Sequence, residues 1–291
     1  MWECWSNRTF TEQELAAARE DLMSTQFTRF KHNFLRFNVC PGDVDWFDDF
    51  SAVLNNARLA AKIARDGGCV GMLFDIEPYN APLFDYRKQR HSATKSWDEY
   101  AEQTRVRGAE LMRAFQNGFP QLTVLLTFGY SWPHAAAQGD PARLPELEIG
   151  LLAPLLDGLL AAAEPGTRII DGFEISYGWR DPARFAQGYQ TMRDGVLPFV
   201  ADHGKYREFF SFAFGIWMDY DWRKHGWDEH DVSKNYFTPE AFEQSVREAL
   251  RVSDEYVWIY TEQPRWWTPV GKTLKLPAEY NAALRQARRD L

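Results

Sequence analysis

A chain of 291 residues, 45% hydrophobic and 25% charged, has the balance of one large globular domain or two small ones, which excludes a disordered or fibrous protein. Its 33 basic and 41 acidic side chains leave a net charge of -8, which repels phosphate backbones and anionic lipid, so nucleic acid is not an expected partner. The longest apolar stretch, Leu151 to Ala163, is interrupted by Pro154 and Asp157 and is too short for a bilayer, so no membrane helix is expected.

In chain order, a helical pattern runs from Thr11 to Met23, with Thr11 three residues before Glu14 in capping-box spacing. Strand Phe34 to Val39, helix Ala52 to Arg65 and strand Gly71 to Glu77 follow. A helix from Trp97 to Asn117 is opened by Ser96 and Glu99, and leads to strand Leu122 to Tyr130. Then come helix Pro145 to Ala163, strand Ile169 to Tyr177, helix Pro182 to His203 and strand Phe209 to Asp219. Thr238 and Pro239 open a helix to Val252, strand Tyr256 to Glu262 follows, and a helix from Pro277 to Asp290 closes the chain.

Strands alternating with helices, with no Gly/Ser linker and no shift in composition, predict a single α/β domain over residues 1–291. No G-x-G-x-x-G or G-x-x-x-x-G-K follows an early strand, so a (β/α)8 TIM-type barrel is favoured over an open nucleotide-binding sheet. The pattern yields six strands and a leading helix. The expectation is therefore a barrel lacking its first two strands, with an open seam and with Trp2 to Trp5 as the remnant of a rim loop. Cys4, Cys40 and Cys69 are odd in number and far apart, so they form neither a disulfide framework nor a zinc ribbon. They leave the compartment open between cytoplasmic and secreted, and no leader pattern precedes the first helix.

Barrel strands alternate side chains between interior and helix layer, and functional groups collect at C-terminal strand ends. If Phe74 and Ile76 face the helices, Asp75 and Glu77 face inward at the mouth. The same alternation turns Arg36, Asn38, Glu174, Ser176, Tyr260 and Glu262 inward. Asp219 and Asp221 read as well as helix caps or loop groups as functional acids. Glu77, Glu174 and Glu262 each close an apolar strand without a Lys, and clustered carboxylates that shift one another's pKa are what general acid catalysis needs.

The aromatic content of 15%, with 12 Trp, has a geography. Trp46, Trp132, Trp179, Trp217, Trp222, Trp227, Trp266 and Trp267 fall at or after C-terminal strand ends, where core packing alone favours Val, Ile and Leu. Indole faces stack on the C–H faces of sugars while neighbouring acids bond hydroxyls, so a carbohydrate groove fits both signals. Tyr79, just past Glu77, joins the candidate sugar-binding residues.

Gly71-Met72-Leu73-Phe74-Asp75-Ile76-Glu77, followed by Pro78-Tyr79-Asn80, resembles the acid-bearing strands of (β/α)8 glycoside hydrolases. The resemblance implies a Glu acid/base at the end of the fourth barrel strand, which Glu77 matches. The nucleophile Glu that the large retaining clan carries on the seventh strand has no counterpart, because that strand ends in Asp219. Of the chitinase-like D-G-x-D-x-D-x-E pattern the chain keeps Gly71, Asp75 and Glu77, with Val70 and Leu73 at the other two acid positions.

The leading expectation is a glycoside hydrolase with Glu77 as general acid, Asp75 orienting it or stabilising positive charge, and Glu262 or Glu174 as nucleophile or base. Two carboxyl groups would flank the bond, about 5 Å apart if configuration is retained. The alternative is a non-catalytic glycan-binding barrel using the same groups. Neither metal nor cofactor is expected: no H-x-H or H-E-x-x-H occurs among the six histidines, and Asp228-Glu229-His230-Asp231 reads as a solvated loop. A nucleophilic Ser fails for lack of G-x-S-x-G.

Overall fold

A computed structural model describes residues 3–28, 31–266 and 274–289. The strands in chain order are β1 (Phe34–Asn38), β2 (Gly71–Asp75), β3 (Thr123–Leu126), β4 (Arg168–Asp171), β5 (Phe210–Phe212), β6 (Phe214–Trp217) and β7 (Val257–Tyr260). The α-helices are α1 (Ala16–Ser24), α2 (Ser51–Asp66), α3 (Trp97–Gly118), α4 (Ser131–Ala136), α5 (Leu152–Ala161), α6 (Pro182–Gln190), α7 (His203–Phe209), α8 (Trp222–His225), α9 (Pro239–Val252) and α10 (Ala278–Ala287). The chain forms two compact units: residues 1–171 with 194–211, and residues 172–193 with 212–291.

The first unit is built on a five-stranded sheet in the order β1-β2-β3-β4-β5, with β1 to β4 parallel in register. The register sets Phe37, Phe74 and Leu126 on one face. There Phe37 and Phe74 meet Phe115 of α3 at 5.5 and 5.6 Å between ring centroids. Trp5, bridged to Pro41, stacks on Phe74 at 6.2 Å and meets Trp46 edge-on at 6.1 Å. Both indoles are fully buried, and Trp46 donates its Nε1–H to the Leu83 carbonyl at 2.9 Å. Trp5 and Trp46 are thus core residues, where sequence geography suggests a sugar-binding rim; Trp2 lies outside the described residues.

Two helices of this unit cross unusually closely. A Cβ on Gly108 of α3 would lie 2.3 Å from the Leu155 carbonyl oxygen, and one on Gly158 of α5 would lie 2.0 Å from that of Arg105. Only glycine on both helices allows the backbones this approach. The second unit pairs β6 with β7 in parallel and lays α9, which matches its predicted span, beside α6 and α10.

Several segments differ from sequence expectation: the strand expected over Leu122 to Tyr130 ends at Leu126, the helix expected from Pro145 begins at Leu152, and the helix expected from Thr11 begins at Ala16. The strand expected over Phe209 to Asp219 is two short strands, β5 and β6, separated at Ala213 and belonging to different sheets. The strand expected to reach Tyr177 ends at Asp171, because Phe173 takes a left-handed conformation (φ 47°) that turns the chain into a 3-10 turn at Glu174–Ser176. The helix expected from Pro182 to His203 ends at Gln190, passes through a π-turn at Thr191–Gly195 and a 3-10 turn at Leu197–Phe199 containing Pro198, and restarts as α7. Capping is more legible: Ser96 and Glu99 form the full capping box, and the Thr11 hydroxyl and Glu14 carboxylate exchange the same bonds. Among the described residues, no helix is long and apolar enough to cross a membrane.

Candidate active site

β2 begins at Gly71, where a Cβ would fall 1.8 Å from the Thr123 carbonyl oxygen on the neighbouring strand, so this close approach requires glycine. From that start Met72 and Phe74 are fully buried toward the helices, and the alternation leaves Asp75 on the opposite face, level with Asn38 of β1. Arg36, two residues before Asn38, shares that face. It donates from Nε to Asp75 Oδ2 at 2.9 Å, with its Nη2 on the same oxygen.

The Asp75 side chain is 2% exposed and that of Arg36 is 50% exposed, so the pair couples a buried anion to a cation at the surface. Burial pulls the Arg36 guanidinium down, but its bond to Asp75 and that carboxylate's charge raise it overall. Asp75 Oδ1 also accepts the Glu77 amide at 3.2 Å, so the chain folds back on the acid as it leaves the strand. Glu77 is half-buried. Its Oε1 accepts the Tyr79 phenol at 2.9 Å, and the same phenol lies 3.3 Å from Asp75 Oδ2. Burial first, and then the charges of Glu77 and Asp75, push the Tyr79 phenol well above its ordinary range, so it stays a proton donor.

Arg36, Asp75, Glu77 and Tyr79 therefore form one hydrogen-bonded network at the C-terminal end of β2. Asn38 lies beside it but is taken up locally: Oδ1 accepts the Cys40 amide at 3.4 Å. Cys40, which sequence reasoning passed over as too isolated, is buried next to this network, and burial and the Asp75 charge raise its thiol pKa.

In the second unit, Tyr260 ends β7 with 37% of its surface exposed, and its ring lies nearly parallel to Tyr177, 5.8 Å between centroids at 15°. Its phenol donates to Glu262 Oε1 at 3.3 Å, while Glu262 Oε2 accepts the Trp222 indole N–H and Arg223 Nη2 at 3.3 Å. Asp219 is buried and turned into the protein. Its carboxylate accepts the amides of Glu262 at 3.1 Å and Gln263 at 2.7 Å and the Trp217 indole N–H at 2.9 Å. Burial raises its pKa against the opposing pull of these bonds.

Of the other candidates, Glu174 is buried on its 3-10 turn, so the strand alternation that turned it inward does not apply. Ser176 of the same turn bonds the carbonyls of Phe173 and Gly215. Trp179 is a core residue, packed on Phe173, Phe185 and Phe214, with Arg184 over its ring at 4.3 Å. Trp132 is half-buried against Phe128 at 4.3 Å, and Trp266 bonds Asn281 through its indole N–H. Trp267 lies outside the described residues. Asp228 is the hub of its own loop, accepting the amides of His230 and Asp231, which lower its pKa to about 2. Among the described residues, no group of three or more His, Cys, Asp or Glu is arranged to hold a metal ion.

A buried acid that the sequence reading missed is Asp171. By register it stands on the Phe74 and Leu126 face, away from Asp75, and it accepts the Ser131 amide at 3.3 Å. Only the true end of β4 would have singled it out. Compared with protein-family models, curated proteins and solved structures, the chain gives no match.

Proposed function

We propose that the protein is a glycoside hydrolase in which Glu77 is the general acid. The observation that carries this reading is the network at the end of β2: an exposed tyrosine and a half-buried glutamate set against a buried aspartate paired with Arg36. Arg36 and the Glu77 amide hold Asp75 in place, which suits it to stabilise positive charge developing at a sugar ring rather than to attack it. The Tyr79 phenol donates to Glu77 Oε1 at 2.9 Å and so orients that carboxyl where the chain leaves the strand. A general acid must lie within hydrogen-bond reach of the leaving-group oxygen, and a half-buried carboxyl at the strand end is placed to do so.

The second carboxyl of the reaction is assigned to Glu262, with Glu174 as the alternative. Asn38, Trp132, Trp222, Tyr260 and Trp266 are the proposed sugar contacts. On this reading the five-stranded sheet belongs to a TIM-type (β/α)8 fold. Five strands paired in chain order support that winding, since a doubly wound sheet reverses its order at a switch point.

The test is Glu77→Gln in a glycan hydrolysis screen. Turnover of a natural glycan should fall by roughly 10²-fold or more, the scale of general acid catalysis. An activated aryl glycoside, whose leaving group needs no proton, should lose far less. Equal losses on both would remove the acid role. A second reading, a glycan-binding barrel, is favoured by the exposure of Tyr79 beside two hydroxyl-binding carboxylates. It replaces the first if no glycan is hydrolysed and Glu77→Gln binds as wild type does.

A further inference from the structure

We propose that Cys4 and Cys40 are a disulfide-forming pair, oxidised by a low-molecular-weight disulfide to a bond that staples the N-terminal segment to the chain leaving β1.

The two cysteines are distant in sequence and neighbours in the fold. Trp5 and Pro41 pair in a parallel bridge, with the Trp5 amide donating to the Cys40 carbonyl at 3.0 Å and the Gly42 amide to the Trp5 carbonyl at 3.1 Å. Cys4 and Cys40 each stand one residue before a bridge partner, which sets them opposite one another across chains spaced about 4.8 Å apart. That spacing falls inside the window of about 4.4–6.8 Å between Cα atoms that a disulfide spans. Both cysteines are buried and both converge on Asn38: the Cys4 thiol donates to its carbonyl at 3.3 Å, and the Cys40 amide to its side-chain oxygen at 3.4 Å.

The backbone on each side is held before any bond forms. Asn56 of α2 donates to the Cys4 carbonyl at 3.1 Å, and Trp5 is fully buried against Phe74 and Trp46. Cys40 follows β1, whose pairing with β2 is regular as far as Asn38. The third cysteine is out of reach. Cys69 precedes β2 whereas Cys40 follows β1, and the parallel register puts the length of these strands between them, at least about 13 Å at roughly 3.3 Å per residue.

The reaction is two thiol–disulfide exchanges. One cysteine thiolate attacks the reagent's S–S bond, forming a mixed disulfide and releasing one reduced thiol. The other thiolate attacks the protein sulfur of that mixed disulfide, the Cys4–Cys40 bond forms, and a second reduced thiol leaves. The cysteines lose two protons and two electrons, and the reagent gains them. Burial pushes the Cys4 thiol up to about 11, and burial and the Asp75 charge raise that of Cys40, so little thiolate is present in the folded protein near neutral pH. The bond therefore forms readily while the chain folds, when both thiols are still in water, and slowly once it has folded.

The experiment refolds the reduced full chain from denaturant in mixed reduced and oxidised glutathione. In a parallel arm, the folded reduced chain is incubated with oxidised glutathione near pH 7 and at about pH 9, where more thiolate is present. Free thiols are counted by alkylation in denaturant, and the bond is located by peptide mass mapping. Refolding should lower the count from three thiols to one, with Cys4 joined to Cys40 and Cys69 alkylated. Cys69→Ser should form the same bond, and the folded chain should form it faster at the higher pH. Three free thiols in both arms, or a bond that includes Cys69, would overturn the pair. The folded arm decides even where the chain aggregates on refolding. Neither arm reads glycan turnover or binding, so failure of this pair and failure of the glycosidase reading are distinguishable.

Discussion

Asp219 and Glu262 are joined through the backbone: both carboxylate oxygens of Asp219 lie 3.1 Å from the Glu262 amide, and one of them also takes the Gln263 amide. The loop after β6 thereby fixes the point where the chain leaves β7. Asp219 positions the acid rather than offering its own carboxylate to a ligand.

Replacing Asp219 with Ala should strand two amides and the Trp217 indole N–H. Leaving buried donors unpaired costs about 1–3 kcal/mol each where water cannot reach them, so a destabilisation of several kcal/mol is the upper bound. Asn is a sharper probe. It keeps one acceptor oxygen but turns an NH2 toward an amide, so Asp219→Asn should also unfold at lower denaturant. Chemical denaturation measures both, and a midpoint unchanged in Asp219→Asn would show that these bonds contribute little.

Asp157 provides a pH signature. Its Oδ1 accepts the Tyr130 phenol at 2.8 Å and the Ala201 amide at 2.9 Å, and Arg105 stands 3.6 Å from Oδ2. Burial raises its pKa despite these partners. Because the folded value lies above the unfolded one, the contribution to stability is complete below the ordinary Asp range and is lost as pH rises through the raised value. Unfolding midpoints measured upward from pH 4 should therefore fall for wild type relative to Asp157→Asn, which cannot ionise. A difference that grows as pH falls would give the opposite sign and refute this.

The glycine crossing of α3 and α5 makes a packing prediction. Gly158→Ala would press a methyl group against the Arg105 carbonyl, and Gly108→Ala would do the same at Leu155. Separating the helices to fit either should cost about 1–3 kcal/mol, as overpacking does, even though Ala is the better helix former by about 1 kcal/mol. Thermal unfolding of the two single variants and the double variant checks this. Since both changes widen the same gap, the double variant should lose less than the sum.

The legible parts of the sequence were those governed by local rules. Apolar runs fixed β1 and β2 to within two residues of their observed ends, and Thr238, Pro239 and Glu240 marked the start of α9 where it stands. Alternation along β1 and β2 also put Arg36 and Asp75 on one face, since both strands are regular up to those residues. It failed for Glu174 because a left-handed Phe173 breaks the strand two residues beyond Asp171, and nothing in an aromatic residue's identity announces that backbone. Tryptophan position was a poor guide to exposure for a related reason. Trp46 and Trp179 follow strands, but a loop that folds back under the helices buries its aromatics as surely as a strand does.

Arg36 is the residue whose removal best separates structure from chemistry at the β2 site. Asp75 is almost wholly buried, and Arg36 is its cationic partner across β1 and β2. Arg36→Met keeps much of the side-chain volume and removes the charge, leaving the carboxylate with the Glu77 amide and the Tyr79 phenol. Breaking a fully buried ion pair costs about 3–5 kcal/mol, but the guanidinium is half in water, so screening reduces the expected loss to roughly 1–2 kcal/mol. Chemical denaturation measures that loss. Asp75→Asn in the Arg36→Met background removes the charge that lacks a partner and should restore most of the lost stability. A double variant no more stable than Arg36→Met would mean that the guanidinium supports this corner of the sheet by packing rather than by neutralising Asp75.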